Sequence, residues 1–411
     1  MIDWRPLLLA VAAGPLIALA AGCRESPVAP EPRPITLAAT YSETGPHSKA
    51  GTDMADGYRL AIEMLNEKGG INGREVRLLL LDDGSDPLAA ARHYFDFVAS
   101  DSVDAVLGPY SSPVAEAVMN VTEAAGWPMV ASLAAAPELW RGRGRRWSLQ
   151  LLNPSPSFHQ GAVALAAEHG ARTVALVYEN TTFPAGMARG AREAAAAHGL
   201  EIVVDRTYEL GEADPMALAR AARDADADVF AGSAYFAEAV ALANAVAEVG
   251  YAPMLVSLNH GPSDPQFVDR VGEAARCVVG NTPWLPGIQT SGFIADSDAF
   301  VERYRRAHGT LPDHTVAAGF GAVELVAESM EASLAAGGEI DRTAMRDHLF
   351  TLSSRSVLGP FAVAPLGDDR AGAQLALSGV QVQWQEGDAD GLVQRIVHPP
   401  ESAEGEPCFL R

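Results

Sequence analysis

Lysine is almost missing from this 411-residue chain: Lys49 and Lys68 are the only two, and Arg carries nearly all of its 30 positive charges. Against them stand 52 Asp and Glu, a formal net charge of −22. So large an acidic excess excludes a nucleic-acid partner, because phosphate binding needs a basic field. It also opposes adsorption onto anionic lipid. Three cysteines exclude a disulfide-rich scaffold and a multi-cysteine zinc module. The motifs of common catalysts are missing too: no Gly-x-Ser-x-Gly elbow, His-Glu-x-x-His, Cys-x-x-Cys or P-loop Gly-Lys-Ser/Thr occurs. The apolar run Leu7 to Gly22 falls short of the roughly 20 residues of a membrane span.

What is present is a globular composition, 48% apolar and 20% charged, long enough for two domains. The run Leu7–Gly22 has the length of an export-signal core and ends in Ala20-Ala21-Gly22 before Cys23. That ending resembles a bacterial lipoprotein box, in which the Cys is lipidated; an ordinary cleaved signal or a short anchor is the alternative. Next comes Arg24 to Pro34, with four Pro in its eleven residues, a semi-extended spacer reaching ~34 Å at about 3.1 Å per residue. Cys277 and Cys408 remain as an even pair, which an oxidising compartment permits to bond.

From Ile35 the pattern alternates strand and helix. Ile35–Ala39 is a short apolar run, and Met54, Tyr58, Ala61, Ile62 and Leu65 recur at the spacing of one helix face. Val76–Leu81 is apolar but for Arg77, which predicts a strand buried on both faces, and Val103–Leu107 and Pro128–Val130 repeat the theme. A second series follows at Thr173–Tyr178, Ile202–Arg206, Val229–Ala231, Met254–Ser257 and Val278–Val279. Helical patterns return at Asp298–His308 and Thr315–Ala336, before a β-like, turn-rich stretch at 357–397. The expected fold class is α/β, with two doubly wound parallel-sheet lobes. Asp82-Asp83-Gly84-Ser85-Asp86 lacks the alternating acids and closing Glu of a calcium loop and reads as a capped, solvated turn. Arg141-Gly142-Arg143-Gly144-Arg145-Arg146 reads as an exposed loop balancing nearby acids.

An ordered set of motifs runs through residues 35–400. It begins with Asn66-Glu67-Lys68-Gly69-Gly70-Ile71-Asn72-Gly73-Arg74, Leu81-Asp82-Asp83 and Asp86-Pro87, followed by Gly108-Pro109-Tyr110-Ser111-Ser112 and Pro137-Glu138-Leu139. It continues with Gly272-Glu273-Ala274-Ala275, then Tyr304, Gly309 and Pro312, and ends with Leu358-Gly359-Pro360-Phe361. In these the chain resembles the type I periplasmic binding proteins, and among them the leucine/isoleucine/valine-binding receptors of ABC importers.

The resemblance implies two lobes crossed three times, near residues 155, 285 and 358, with a ligand held in the central cleft. It assigns 1–22 to a signal peptide, 23–34 to a lipidated Cys23 and its tether, and 401–411 to a C-terminal tail. Lobe one would be 35–155 plus 286–357, and lobe two 156–285 plus 358–400. It further implies a monomer in the periplasm or at the cell surface, serving a small-molecule ligand and a membrane permease. The protein would be attached to the membrane only through its N-terminal lipid, with no cofactor, metal or catalytic role. A sensing module feeding a signalling receptor is the alternative, and an enzyme with scattered catalytic residues the remote one.

Ser111-Ser112-Pro113 follows a strand and opens a helix, so Ser112 is both an N-cap candidate and, by the resemblance, the group that holds a ligand carboxylate. Ser111 is its neighbour candidate. In the loop Ser132-Leu133-Ala134-Ala135-Ala136, Ala135 stands where the family has Thr, leaving backbone contacts from Leu133 and Ala135. Tyr235 aligns with a family aromatic that contacts ligand, Phe183 stands where Tyr is usual, and Phe158 reads as core or cleft wall. Amino-acid receptors of the family place an acid after the strand Met254–Ser257, where this chain has Leu258-Asn259-His260. Either another acid takes its place or the ligand has no ammonium group, in which case Asn259 and His260 would meet a neutral or anionic one. Lys49, in the first loop, would pair a second ligand anion or sit solvated.

Overall fold

The computed structural model describes Met1, residues 33–387 and residues 391–411. Pro34–Arg411 is one compact unit, distinct from Met1–Arg33. The expected signal peptide beyond Met1, Cys23 and the tether as far as residue 32 lie outside the described residues.

The first lobe carries β1 (Ile35–Tyr41), α1 (Ser48–Glu67), β2 (Val76–Asp82), α2 (Pro87–Ala99), β3 (Ala105–Leu107), α3 (Ser112–Ala125), β4 (Met129–Ala131) and β5 (Ser148–Gln150). These strands form one parallel sheet in the order β2-β1-β3-β4-β5. The apolar stripe of α1 is buried as its spacing predicts. Strand β2 differs from expectation: only Val76 is fully buried, because β2 is the sheet edge and one face of Leu78 to Leu81 is open.

The second lobe carries α4 (Ser157–Glu168), β6 (Thr173–Glu179), α5 (Thr182–His198), β7 (Glu201–Tyr208), α6 (Pro215–Asp224) and β8 (Val229–Ser233). It continues with α7 (Phe236–Glu248), β9 (Leu255–Ser257), the short α8 (His260–Ser263) and α9 (Phe267–Val271), and β10 (Val278–Thr282). The chain then returns to the first lobe with α10 (Ser297–His308), α11 (His314–Gly337), α12 (Arg342–Thr351) and the hairpin β11 (Ser354–Ser356) and β12 (Gly359–Phe361). Last come the antiparallel strands β13 (Val380–Glu386) and β14 (Leu392–His398), which complete a sheet ordered β14-β13-β10-β9-β8-β6-β7.

Helix α11 is buried nearly all round along its first half, with Asp313 accepting from the Thr315 and Val316 N–H groups at its head. It lies against α1 at backbone distance. A Cβ at Gly57 would sit 2.2 Å from the Val316 carbonyl, and one at Gly319 would sit 2.2 Å from that of Met54. Only glycine fits both positions.

The third crossing comes later than position 358. Leu358, Phe361 and Leu377 pack into the first lobe's core, and the Gln374 amide donates to the Leu151 carbonyl at 3.0 Å. Only at Val380 does the chain join the second sheet. Residues 358–377 therefore stay with the first lobe, held there by apolar burial that the Gly-Pro turn concealed. The three crossings lie side by side, since Asn281 accepts from Asn153 at 3.4 Å and donates to the Val380 carbonyl at 3.3 Å.

Residues 401–411, the C-terminal tail, dock on the second lobe. Cys408 exchanges two hydrogen bonds with Gln383, Arg411 pairs with Asp226 and Asp228, and Cys408 is bonded to Cys277. Two local expectations also change. Arg145 is buried and donates to the Leu139 carbonyl, so the basic island is only partly exposed. Asp83 is buried, accepting from Thr40 and Ser42, so the acidic turn is pinned as well as capped.

Candidate functional site

In doubly wound sheets, ligand sites form beyond the carboxyl ends of the strands, where loops and helix heads converge. Here those ends of the two sheets face each other. His47 and Tyr110 of the first lobe meet Tyr235 of the second, with ring centres 4.5 Å (His47–Tyr235) and 6.3 Å (Tyr110–Tyr235) apart. His260 stacks on His314, at the head of α11, at 5.3 Å. Phe183 lies 5.3 Å from Phe158, 5.2 Å from His260 and 5.8 Å from Tyr235. Burial pushes the imidazole pKa down to about 4 for His47 and about 3 for His260, so these rings are neutral at physiological pH.

Beside the rings lies a charged knot. Lys49 Nζ is 2.7 Å from Asp53 in its own helix and 2.6 Å from Asp264 of the second lobe. Asp313 completes a group of three acids whose ligating oxygens lie within 4.8 Å of one another. Burial alone would lower the Lys49 pKa, but Asp313, Asp53 and Asp264 together hold it above its ordinary value. Burial, with Asp313 next, pushes the Asp53 carboxyl up to about 7. A cavity of about 270 Å³, lined by His47, Lys49, Tyr110, Tyr235, Phe236 and Arg270, opens on one side of Lys49. One of about 100 Å³, lined by Asp53, Asp264, Tyr304 and Asp313, opens on the other.

Of the expected residues, Tyr235, His260, Phe183 and Lys49 come together where the lobes meet. Lys49 is half-buried rather than fully solvated, and two carboxylates already bind its ammonium. The serines depart from the capping expectation. Ser111 occupies the N-cap position at φ +75° but makes no capping bond, and its buried hydroxyl has no partner. Ser112 is the first residue of α3, and its hydroxyl accepts from the Ala135 and Ala136 N–H groups at 3.1 and 3.2 Å. The Ala135 carbonyl takes the Ser155 N–H at 2.8 Å, so both backbone groups of Ala135 are occupied. Leu133 is buried and bridges to Tyr110. Asn259, wholly buried at φ +22°, donates to the Ala234 carbonyl at 3.2 Å and so fixes the loop that carries Tyr235.

The Ser112 geometry makes a direct prediction. Ser112→Ala leaves two buried N–H groups without an acceptor, and should lower the stability of the ligand-free protein by about 2 kcal/mol in urea unfolding. Unchanged stability would mean the two N–H groups find other acceptors.

Sequence reasoning missed His47, Tyr110, His314, the acids Asp53, Asp264 and Asp313, and one further acid, Glu179. Glu179 ends β6, is fully buried, and has one carboxylate oxygen without a hydrogen bond. Its position at a strand's carboxyl end was the available signal. The three Asp residues come from distant segments and share no local pattern.

The profile of the periplasmic binding protein family matches residues 34–391. The chain belongs to this family. Among relatives of this periplasmic binding protein, the Leu/Ile/Val-binding protein homolog 7 of Brucella abortus (strain 2308) is 27% identical over 308 residues, 72% of this chain and 76% of that protein. The structure also resembles the branched-chain amino acid transporter substrate binding protein LivJ of Streptococcus pneumoniae in complex with isoleucine. The TM-score is 0.73 at 21% identity, covering 88% of this chain and 100% of that one. A solute binding protein of an ABC transporter from Rhodopseudomonas palustris BisB5, in complex with 3,4-dihydroxy benzoic acid, superposes with TM-score 0.74 at 17% identity, covering 91% and 98%. Both likenesses are of fold: two α/β lobes built on parallel sheets.

Proposed function

We propose that this periplasmic binding protein is the extracytoplasmic receptor of an ABC importer, capturing a small polar metabolite by closing its lobes and delivering it to a membrane permease. The ligand class is amino-acid-like, amide or carboxylate. On this reading Cys23 carries a lipid that holds the acidic body near the membrane, and the protein acts as a monomer without catalysis.

One observation carries the reading: side chains from both lobes interlock where the strand ends face each other, through His47 against Tyr235, His260 on His314, and Lys49 to Asp264. Such contacts exist only in a closed arrangement, and a ligand touching both lobes biases that equilibrium. Relatives named for leucine, isoleucine and valine, and fold neighbours holding isoleucine or an aromatic acid, support a ligand with a carboxyl group and an apolar body. The hydroxyl of Ser111, unpartnered among the described residues at the head of α3, supports a role for it in meeting the carboxyl group.

Mass spectrometry of the purified protein should find a bound small molecule, and a thermal-shift screen of amino acids, amides and carboxylates should find one that raises the melting temperature. No bound molecule and no shift across all three classes would overturn the reading.

A further inference from the structure

Three neighbouring strands of the second sheet end side by side on the cleft. Tyr208 at the end of β7 is in register with Glu179 at the end of β6, and Ser233 at the end of β8 is in register with Tyr178. Tyr235 follows two residues beyond. One oxygen of Glu179 accepts from the Thr181 hydroxyl at 2.6 Å; the other has no partner among the described residues. The hydroxyl of Tyr208 is also buried without a partner among the described residues, and that of Tyr235 is buried beside the Thr181 hydroxyl.

Buried polar groups are nearly always hydrogen-bonded, and a buried carboxylate oxygen is among the costliest to leave alone. The charges that act on Glu179 are those of Glu238 and Glu209, both negative. What the three groups lack in common is a positively charged hydrogen-bond donor. Resting on the receptor reading above, we infer that Glu179, with the hydroxyls of Tyr208 and Tyr235, receives a primary ammonium group of the ligand.

The count fits the chemistry: an ammonium has three N–H donors, and the row offers one carboxylate oxygen and two hydroxyl oxygens. The ring of Tyr235, flanked by Phe183 and His47, gives the cation aromatic walls. An acid two strands away from Asn259 thus does the work expected beyond β9, and the ligand carries an amino group as well as a carboxyl group. Burial, with no cation beside it, holds the Glu179 carboxyl up to about 7, the state expected of an acid whose counter-ion arrives with the ligand.

The test pairs amino acids with their counterparts lacking the amino group, L-leucine with isocaproate and L-phenylalanine with hydrocinnamate, by titration calorimetry on the full protein. Wild type should bind at least one amino acid, and its des-amino partner roughly 100-fold more weakly. Glu179→Gln should weaken that amino acid roughly 100-fold while leaving the ligand-free melting temperature unchanged or higher, because it neutralises an unpaired buried charge. Should that variant fail to fold, Tyr208→Phe is expected to weaken the same amino acid about tenfold. Equal binding of a des-amino acid, or an unchanged affinity in Glu179→Gln, would overturn the assignment and leave the receptor reading standing. If none of the four probes binds and neither does any other small amine, amide or carboxylate, the receptor reading falls and the assignment falls with it.

Discussion

Glu324→Leu is expected to lower the unfolding free energy by about 4 kcal/mol, among the largest effects of any single substitution outside the apolar core. Glu324 is wholly buried in the middle of α11. One of its oxygens accepts from the N–H groups of Ile294 and Ala295, at 2.9 and 3.3 Å, and the other from that of Val357 at 2.8 Å. The first pair lies on the segment that returns from the second sheet; Val357 is the turn between β11 and β12. One carboxylate therefore pins two separate stretches of backbone. Leucine fills similar space but orphans all three donors, each costing about 1–3 kcal/mol when buried. Part of this is offset by removing a desolvated acid. Glu324→Gln turns an NH₂ group toward at least one of the three N–H groups and should fall between leucine and wild type. The carboxylate rests against Gly292, where a Cβ would come within 2.2 Å of either oxygen, so Gly292→Ala should perturb the same anchor.

Glu324 also has a pH signature with a definite sign. Burial raises its pKa to about 8 from an ordinary value of 4.5, against the pull of its three N–H partners. Between those values the folded state holds more protons than the unfolded one, so this group's contribution to stability falls as pH rises through the window. Removing the carboxyl should flatten the stability profile of Glu324→Gln between about pH 5 and 8 relative to wild type. Urea unfolding at stepped pH measures it, and an identical slope in both proteins would mean the acid stays ionised throughout.

Much of the architecture was legible because local patterns and tertiary needs agree. The α1 stripe reads as a helix face because Met54, Tyr58 and Leu65 do pack inward, and the strand–helix alternation reads as parallel sheets because both faces are covered. Strand β2 misled because an apolar run says nothing about whether a strand is central or at an edge. The third crossing was placed too early because Gly359-Pro360 marks a turn, while what holds residues 358–377 is apolar packing and a glutamine bonded to residues more than two hundred positions away. The site was half legible for the same reason. Tyr235, Phe183 and His260 announce themselves by following strands. Ser112 also does, but its hydroxyl is spent on Ala135 and Ala136, which sequence cannot reveal. The acid missing beyond β9 was visible as an absence; its counterparts were not, because a carboxylate gains its meaning from what surrounds it in space.

Lys49→Met is expected to keep the lobes apart at neutral pH. Lys49 is the cation that lets Asp264 of the second lobe approach Asp53 and Asp313 of the first. Without it, each close pair of carboxylates repels by about 3 kcal/mol at an effective dielectric of roughly 20, and two such pairs form only on closure. Methionine keeps most of the apolar stem and loses only the ammonium that lies 5.2 Å over the Phe236 ring, so packing changes little. The closed population should fall by more than about 100-fold, read as a larger radius of gyration in solution scattering and as weaker binding of the ligand found by the screen.

Acid should restore closure. Even with Lys49 present the Asp53 carboxyl sits at about 7, raised by burial and Asp313, and removing the ammonium raises it further. The closed form of the variant therefore takes up protons, so closing is favoured as pH falls and lost as pH rises through neutrality. The double variant Lys49→Met with Asp264→Asn should close again at neutral pH, because the acid contributed by the second lobe is gone. If Lys49→Met closes like wild type at neutral pH, the knot takes no part in controlling closure; if acid fails to restore closure, lysine acts through packing and not through charge.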